Sequence, residues 1–198
     1  MLEPREGLLT FRSEGNDISN SLYYSRKIHW PGNIPGCSSN SSGVTIGRGF
    51  DLGNRSKDET LQALSMAGIP KEQAKKIANG AGLTHCQANN FVIRNKNEIG
   101  EITESQQLQL FNTIYPSYAS DAVRFYNKYK KSNSVNWDKL HPALKEVFID
   151  MKYQGILTQK MVYVFSENDS KKVISLLQKT PDDERRRSRV DFLMGNIK

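Results

Sequence analysis

The sequence predicts an α+β fold, with a small β-containing region near the N-terminus and a larger helical region after it. Two observations predict it. Residues 15–56 hold seven of the fourteen glycines, with eight serines and five asparagines, and contain two β-type triplets. Residues 57–198 are richer in helix formers, and their apolar residues recur at three- and four-residue steps. The 198 residues and 22.5 kDa suit one domain, 1–198, or one domain in two lobes (15–56 and 57–198).

The elements follow in chain order. Pro4 to about Glu14 reads as a short helix with Pro near its first turn and Gly15 as its stop, and it should tie the two lobes together. Leu22-Tyr23-Tyr24 and Val44-Thr45-Ile46 read as strands. The turn-forming stretch Pro31 to Gly43 joins them as a long loop, a feature that compact domains keep for function or mobility. Helices are then predicted over Asp58–Ala67, stopped by Gly68, and over Pro70–Asn79, stopped by Gly80. Thr84 to Arg94 is a further helix capped by Thr84. Thr103-Glu104-Ser105-Gln106 is a capping-box pattern, opening a helix that carries Leu108, Leu110 and Phe111. Pro116 should break or kink it before the pattern resumes at Val123, Phe125 and Tyr126. His141-Pro142 opens a helix with Leu144, Val147, Phe148 and Met151, and Asp169–Gln178 and Asp182–Met194 complete the series.

Composition narrows the function classes. With 37% apolar and 25% charged residues, the chain is neither a disordered segment nor a disulfide-stapled miniprotein. No run of eighteen apolar residues exists, so no membrane insertion is expected. Met1-Leu2-Glu3-Pro4 lacks the basic and apolar regions of a signal peptide, and Leu2-Glu3 has the look of a cloning junction, so a piece of a longer protein is expected. Cys37 and Cys86 permit one disulfide or two free thiols, and no four-ligand zinc site. His29, His85 and His141 are scattered without ligand spacing, so no metal and no cofactor is expected. The net charge of +7 directs the chain toward anionic partners: nucleic acid, membrane surface or cell wall. No nucleic-acid motif supports the first, and aromatic residues do not interleave with the basic clusters Lys75-Lys76, Lys128 to Lys131, Lys171-Lys172 and Arg185 to Arg189. Those clusters are either solvated helix faces or, as favoured here, non-specific steering groups.

The informative stretch is Gly43-Val44-Thr45-Ile46-Gly47-Arg48-Gly49-Phe50-Asp51-Leu52-Gly53. Four glycines in eleven residues weaken a strand and imply close approach to the backbone. Neither a dinucleotide fingerprint nor a phosphate loop fits, since the third glycine, the βαβ unit and a Gly-Lys-Ser are all missing. Ser13-Glu14-Gly15 followed by Thr45-Ile46-Gly47-Arg48-Gly49 resembles the signature of phage-type lysozymes, in which a helix-terminal Glu-Gly precedes a β-hairpin ending Thr-Ile-Gly-x-Gly. Phe50-Asp51-Leu52-Gly53 is similar to the pesticin-like toxin branch of that superfamily. Ile149 to Gly155 resembles, more weakly, lysozyme-like effector domains delivered by type VI secretion, and Arg185-Arg186-Arg187 leading to Phe192-Leu193 the last helix of phage endolysins.

The resemblance implies a lysozyme-like two-lobe fold and cleavage of the β-1,4 bond between N-acetylmuramic acid and N-acetylglucosamine. It carries the catalytic Glu onto Glu14, the Thr onto Thr45 and the Asp onto Asp51. It departs from phage lysozymes in two respects: they place an Asp nine residues after the Glu, where this chain has Tyr23, and their step from Glu to Thr is shorter than the 31 residues between Glu14 and Thr45, a difference the 31–43 loop absorbs. Asp51 is therefore the expected second carboxylate and Asp17 its rival. The chemistry suits these residue types. One carboxyl must hold a proton for the leaving oxygen while the other activates water, and a hydroxyl can fix that water's direction. An inverting mechanism is expected, with carboxyls roughly 6.5–9.5 Å apart. Tyr153 and Gln154 are expected to line the sugar site. The expected setting is the periplasm or cell wall of target bacteria, reached without a visible signal peptide, by a monomer whose partners are peptidoglycan and, for a toxin, a cognate immunity protein. The competing expectation is a peptidoglycan-binding module with this fold and no activity.

Overall fold

Helix α1 covers Leu8–Ser13, four residues shorter at its start than the sequence suggests. Gly7 explains the late start: its φ of +73° is non-helical, and any side chain there would run into the Tyr115 ring. Glu14 follows in a turn and Gly15 ends the helix as expected. The computed structural model, which describes residues 2–196, is an α+β structure, 59% helical with one two-stranded antiparallel sheet among the described residues.

The sheet differs from the expected pairing. Strand β1 is Thr45–Ile46 and strand β2 is Phe50–Asp51, in the register Thr45 to Asp51 and Ile46 to Phe50. The hairpin turn is therefore Gly47-Arg48-Gly49, and positive φ values of 64° and 83° at the two glycines show why that spacing is needed. Leu22-Tyr23-Tyr24 forms no strand. Leu22 and Tyr23 are 92% and 70% exposed, and among the described residues the segment's β-type pairing is a single bridge between Asn16 and Tyr24. Asn16 and Ser21 compete with a ladder here: the Asn16 side chain accepts from the Ile18 N–H, and Ser21 Oγ accepts from the Tyr23 N–H.

Helices α2 (Lys57–Met66), α3 (Lys71–Ala78) and α4 (His85–Ile99) follow. The cap of α2 is Ser56, before the predicted start at Asp58, in a reciprocal capping box with Glu59. The predicted box at Thr103 and Gln106 forms in both directions, at 2.9 and 3.1 Å, and opens α5 (Glu104–Tyr129). Pro116 does not end α5; the helix runs through it, sacrificing one backbone hydrogen bond. Next come α6 (Pro142–Gln154), α7 (Gln159–Phe165), α8 (Ser170–Gln178) and α9 (Glu184–Asn196). Helix α7 was not expected. Its seven residues span two turns, too few for the apolar period to register.

The residues group into two compact units: one of Met1–Arg5 with Glu14–Ile114, the other of Glu6–Ser13 with Tyr115–Lys198. The division lies inside α5 and not at residue 57, because α3 packs on both α2 and α4, and α4 packs against the 34–39 turn. The first unit buries Ile28, Val44, Ile46, Phe50 and Leu52 around the hairpin, together with Leu64, Ile77 and Ile102. In the second, Leu9 from α1 joins a core of Leu144, Val147, Phe148, Phe165, Val173 and Leu193. Tyr126, Trp137, Phe148 and Phe165 meet there edge-to-face at centroid distances of 5.1–5.7 Å.

Candidate functional site

The hairpin sets the geometry of the first unit. Leu52 N–H donates to Val44 O at 2.8 Å, so Thr45 and Asp51 face each other as a non-hydrogen-bonded pair, the type that brings side chains closest. Thr45 is buried, and its hydroxyl donates to Gly43 O at 3.3 Å. Asp51 is half-buried. Its Oδ2 accepts from Gly43 N–H at 3.1 Å and its Oδ1 from Gly53 N–H at 2.7 Å. These two donors explain two of the four glycines. A side chain at Gly43 would collide with the Asp51 carboxylate, and one at Gly53 would crowd it from the other side. The carboxylate is thus oriented by backbone on both sides, each oxygen keeping a further lone pair.

Glu14 is half-buried at the end of α1, the first residue of the hairpin's unit after that helix. The next residue ties its position to the hairpin: the Arg48 guanidinium, from the β1–β2 turn, donates to Gly15 O. Gly47 N–H donates to Ser25 O at 2.7 Å, and Ser25 N–H to Asn16 O at 3.0 Å. The chain just after Glu14 and the turn just before Asp51 are therefore stitched together within one unit.

Asp17 has a different role. It pairs with Arg48 at 2.8 Å and Arg26 at 3.2 Å and accepts from the Gln107 amide at 3.1 Å, with its side chain only 9% exposed. Burial pushes the Arg48 pKa down while the Asp17 charge and hydrogen bond oppose the shift. Every feature of Asp17 is that of a brace for the loop after Glu14.

A third strand-like segment borders β1. His29 exchanges both backbone hydrogen bonds with Thr45, each 2.8 Å. His29, Thr45 and Asp51 consequently occupy three successive rungs, and cross-strand neighbours share a face. The sequence reading set His29 aside for want of ligand spacing; no local signal announces a pairing sixteen residues away in the chain. Burial lowers the His29 pKa, with Lys96 acting in the same sense and the Lys27 carbonyl and Asp51 opposing.

The remaining expected residues lie in the second unit. Tyr153 is half-buried, its ring 4.2 Å from that of Tyr118 and 6.5 Å from that of Tyr115. Gln154 is exposed, and its side-chain oxygen accepts from Arg189 at 2.6 Å.

The sequence belongs to a known family. A family model described as a domain of unknown function, DUF8812, matches residues 7–189. The chain is a member of the DUF8812 family. That match runs from α1 into α9 and takes in Glu14, His29, Thr45, Asp51, Tyr153 and Gln154. No curated protein matches the sequence.

Contacts that sequence spacing does not show decide the state of the cysteines and the surroundings of the basic clusters. Cys37 and Cys86 form a disulfide, joining the 3-10 turn Ile34–Ser39 to the start of α4. The basic clusters are largely ion-paired within their own units. Arg185 and Arg189 both clasp the buried Asp150 at 2.6 Å, Arg186 and Arg187 share Asp182, Lys131 and Lys172 share Glu167, and Lys75 and Lys76 pair with Glu72 and Glu98. The arginine cluster is thus a fold-holding feature before it is a steering one. Among the described residues no group of acidic, His or Cys side chains could hold a metal, and no helix is long and apolar enough to cross a membrane.

Proposed function

We propose that this DUF8812 domain is a muramidase of the lysozyme-like superfamily, close to its pesticin-like branch, that cleaves peptidoglycan between N-acetylmuramic acid and N-acetylglucosamine. The observation that carries the reading is the in-register pair of Thr45 and Asp51, on a glycine-turned hairpin stitched through Arg48 to the residue after Glu14. Glu14 serves as the general acid, protonating the leaving glycosidic oxygen. Asp51 takes the proton of an attacking water, and Thr45, its own proton engaged on Gly43 O, offers lone pairs to hold that water. Water attack from the face opposite the leaving group inverts the anomeric centre. The disulfide suits an oxidising setting, as the periplasm or wall of a target bacterium would provide. Peptidoglycan is the substrate partner, a cognate immunity protein is the partner expected of a toxin, and the active form is a monomer.

A second reading is favoured by one specific observation. Both Asp51 oxygens and the Thr45 hydroxyl already have backbone partners, as they would in a hairpin that merely supports a peptidoglycan-binding module.

Digestion of purified sacculi followed by mass spectrometry separates the two. The muramidase releases disaccharide peptides ending in reducing muramic acid, with α-anomers appearing first by NMR, and Glu14→Gln lowers the rate by at least ~10²-fold while the protein still folds. A Glu14→Gln protein that digests sacculi at the wild-type rate overturns the assignment. Saturable binding by the wild type without new reducing ends selects the binding module.

A further inference from the structure

We infer that His29 belongs to the same site and that its Nε2 accepts a hydrogen bond from a hydroxyl group held above the Thr45–Asp51 pair. The inference rests on the proposed glycan-cleaving site and adds a fourth residue to it.

Three observations carry it. The first is register. His29 and Thr45 exchange both backbone hydrogen bonds, and Thr45 stands opposite Asp51, so the imidazole rises from the same face, two strands from the carboxylate. Neighbouring strands lie about 4.8 Å apart, so a single oxygen above Thr45 is within side-chain reach of both outer rungs. The second is the tautomer. Nδ1 lies 3.1 Å from Lys27 O, and a carbonyl can only accept, so the ring proton sits on Nδ1 and Nε2 presents a lone pair. The third is access. Nε2 is not among the buried side-chain atoms of the described residues, although the ring is half-buried, so a group arriving from solvent can reach it. An oriented, accessible lone pair beside the Thr45–Asp51 pair can accept from a hydroxyl.

The groups whose charge acts on the imidazole agree with that state. Asp51 from β2 favours the protonated ring, Lys96 from α4 disfavours it, and burial, the largest influence, disfavours it as well. The imidazole stays neutral near pH 7, so Nε2 remains an acceptor where a protonated ring would be a donor and repel the hydroxyl hydrogen.

The donor is either the attacking water or a sugar hydroxyl, and kinetics distinguish them. His29→Ala is assayed on sacculi beside wild type and Glu14→Gln. A water ligand predicts a kcat reduced at least ~10-fold with KM unchanged, and a sugar hydroxyl predicts the loss in KM. In either case the acid limb of the wild-type pH profile, set by protonation of Nε2, moves to lower pH in the variant; a purely structural His29 would lower the melting temperature and leave the profile in place. His29→Ala with wild-type kcat, KM and pH profile, beside an inactive Glu14→Gln, overturns the inference and leaves the hydrolase reading standing. A second measurement needs no variant and no turnover. In 15N-NMR of the wild type, Nδ1 should be protonated and Nε2 not, and the Nε2 resonance should shift on addition of a chitooligosaccharide. An Nε2-protonated tautomer, or an Nε2 signal that stays in place at millimolar oligosaccharide, overturns the inference even if the wild type hydrolyses nothing.

Discussion

Two aspartates near the site illustrate how environment separates residues of the same type. Asp51 is half-buried, held by backbone N–H groups of Gly43 and Gly53, and no cation pairs with its carboxylate among the described salt bridges. Asp17 is tied to two arginines, one of them Arg48, whose side chain is 1% exposed. Removing one partner of such a pair leaves a buried charge uncompensated, at a cost of about 3–5 kcal/mol. Asp17→Asn should therefore lower stability by an amount of that order. Asp51→Asn keeps the shape but sets an amide NH2 against one of the two backbone N–H donors, and should cost about 1–3 kcal/mol, less than Asp17→Asn, while abolishing sacculus digestion. Chemical denaturation of both variants beside a turbidity assay checks the split. The reverse pattern would make Asp17 the second carboxylate.

At the level of elements, the 31–43 loop depends on few contacts. The 3-10 turn Ile34–Ser39 buries none of its residues, so apolar packing cannot hold it. Its anchors are the disulfide to Cys86, the bond from Trp30 Nε1 to Ser42 O at 2.8 Å, and the bridge from Gly43 to Thr84. Closing a loop of 49 residues is worth about 4 kcal/mol in the chain-entropy model. Treatment with a dithiol reductant, or the Cys37→Ser/Cys86→Ser double variant, should lower the unfolding free energy by up to that amount. The same treatment should raise amide exchange across 33–43 first, because Gly43 donates to Asp51 from the end of this loop. Unchanged exchange in that segment after full reduction would show that the hydrogen bonds alone hold it. Element recognition from sequence followed the same logic of local signals. The Thr103 capping box and the stops at Gly68 and Gly80 are legible because they depend on neighbours within four residues. Residues 22–24 form no strand despite their β-type composition, because the side chains of Asn16 and Ser21 take the backbone N–H groups of Ile18 and Tyr23 into turns.

The acid response of the whole molecule centres on Asp150. It is fully buried on α6, between Arg185 and Arg189 of α9. Burial pushes its pKa up, but hydrogen bonds and charge from Arg185 and Arg189 together hold it below the ordinary carboxylate value. A carboxylate depressed in this way contributes stability fully above its unfolded pKa of about 3.9, and loses it as pH falls through the lower folded value. Stability should thus be flat in this contribution from neutral pH down to about 4 and fall steeply below. Thermal melts from pH 7 to pH 2 check this, with Asp150→Asn already less stable at neutral pH and flatter in its acid fall. Equal acid slopes in the two proteins would remove Asp150 from that role.

Taken alone, the order of residues along the chain was enough for the α+β class and for most helices and their stops. Those features arise from backbone preferences and contacts within a few residues, which any short window contains. It took the folded chain to pair Thr45 with both His29 and Asp51, to join Cys37 to Cys86, to spend Asp17 on Arg48, and to draw the boundary of the two units inside α5. Each of these depends on which distant segments share a buried surface, a choice made by the collective free energy of packing that no local pattern encodes.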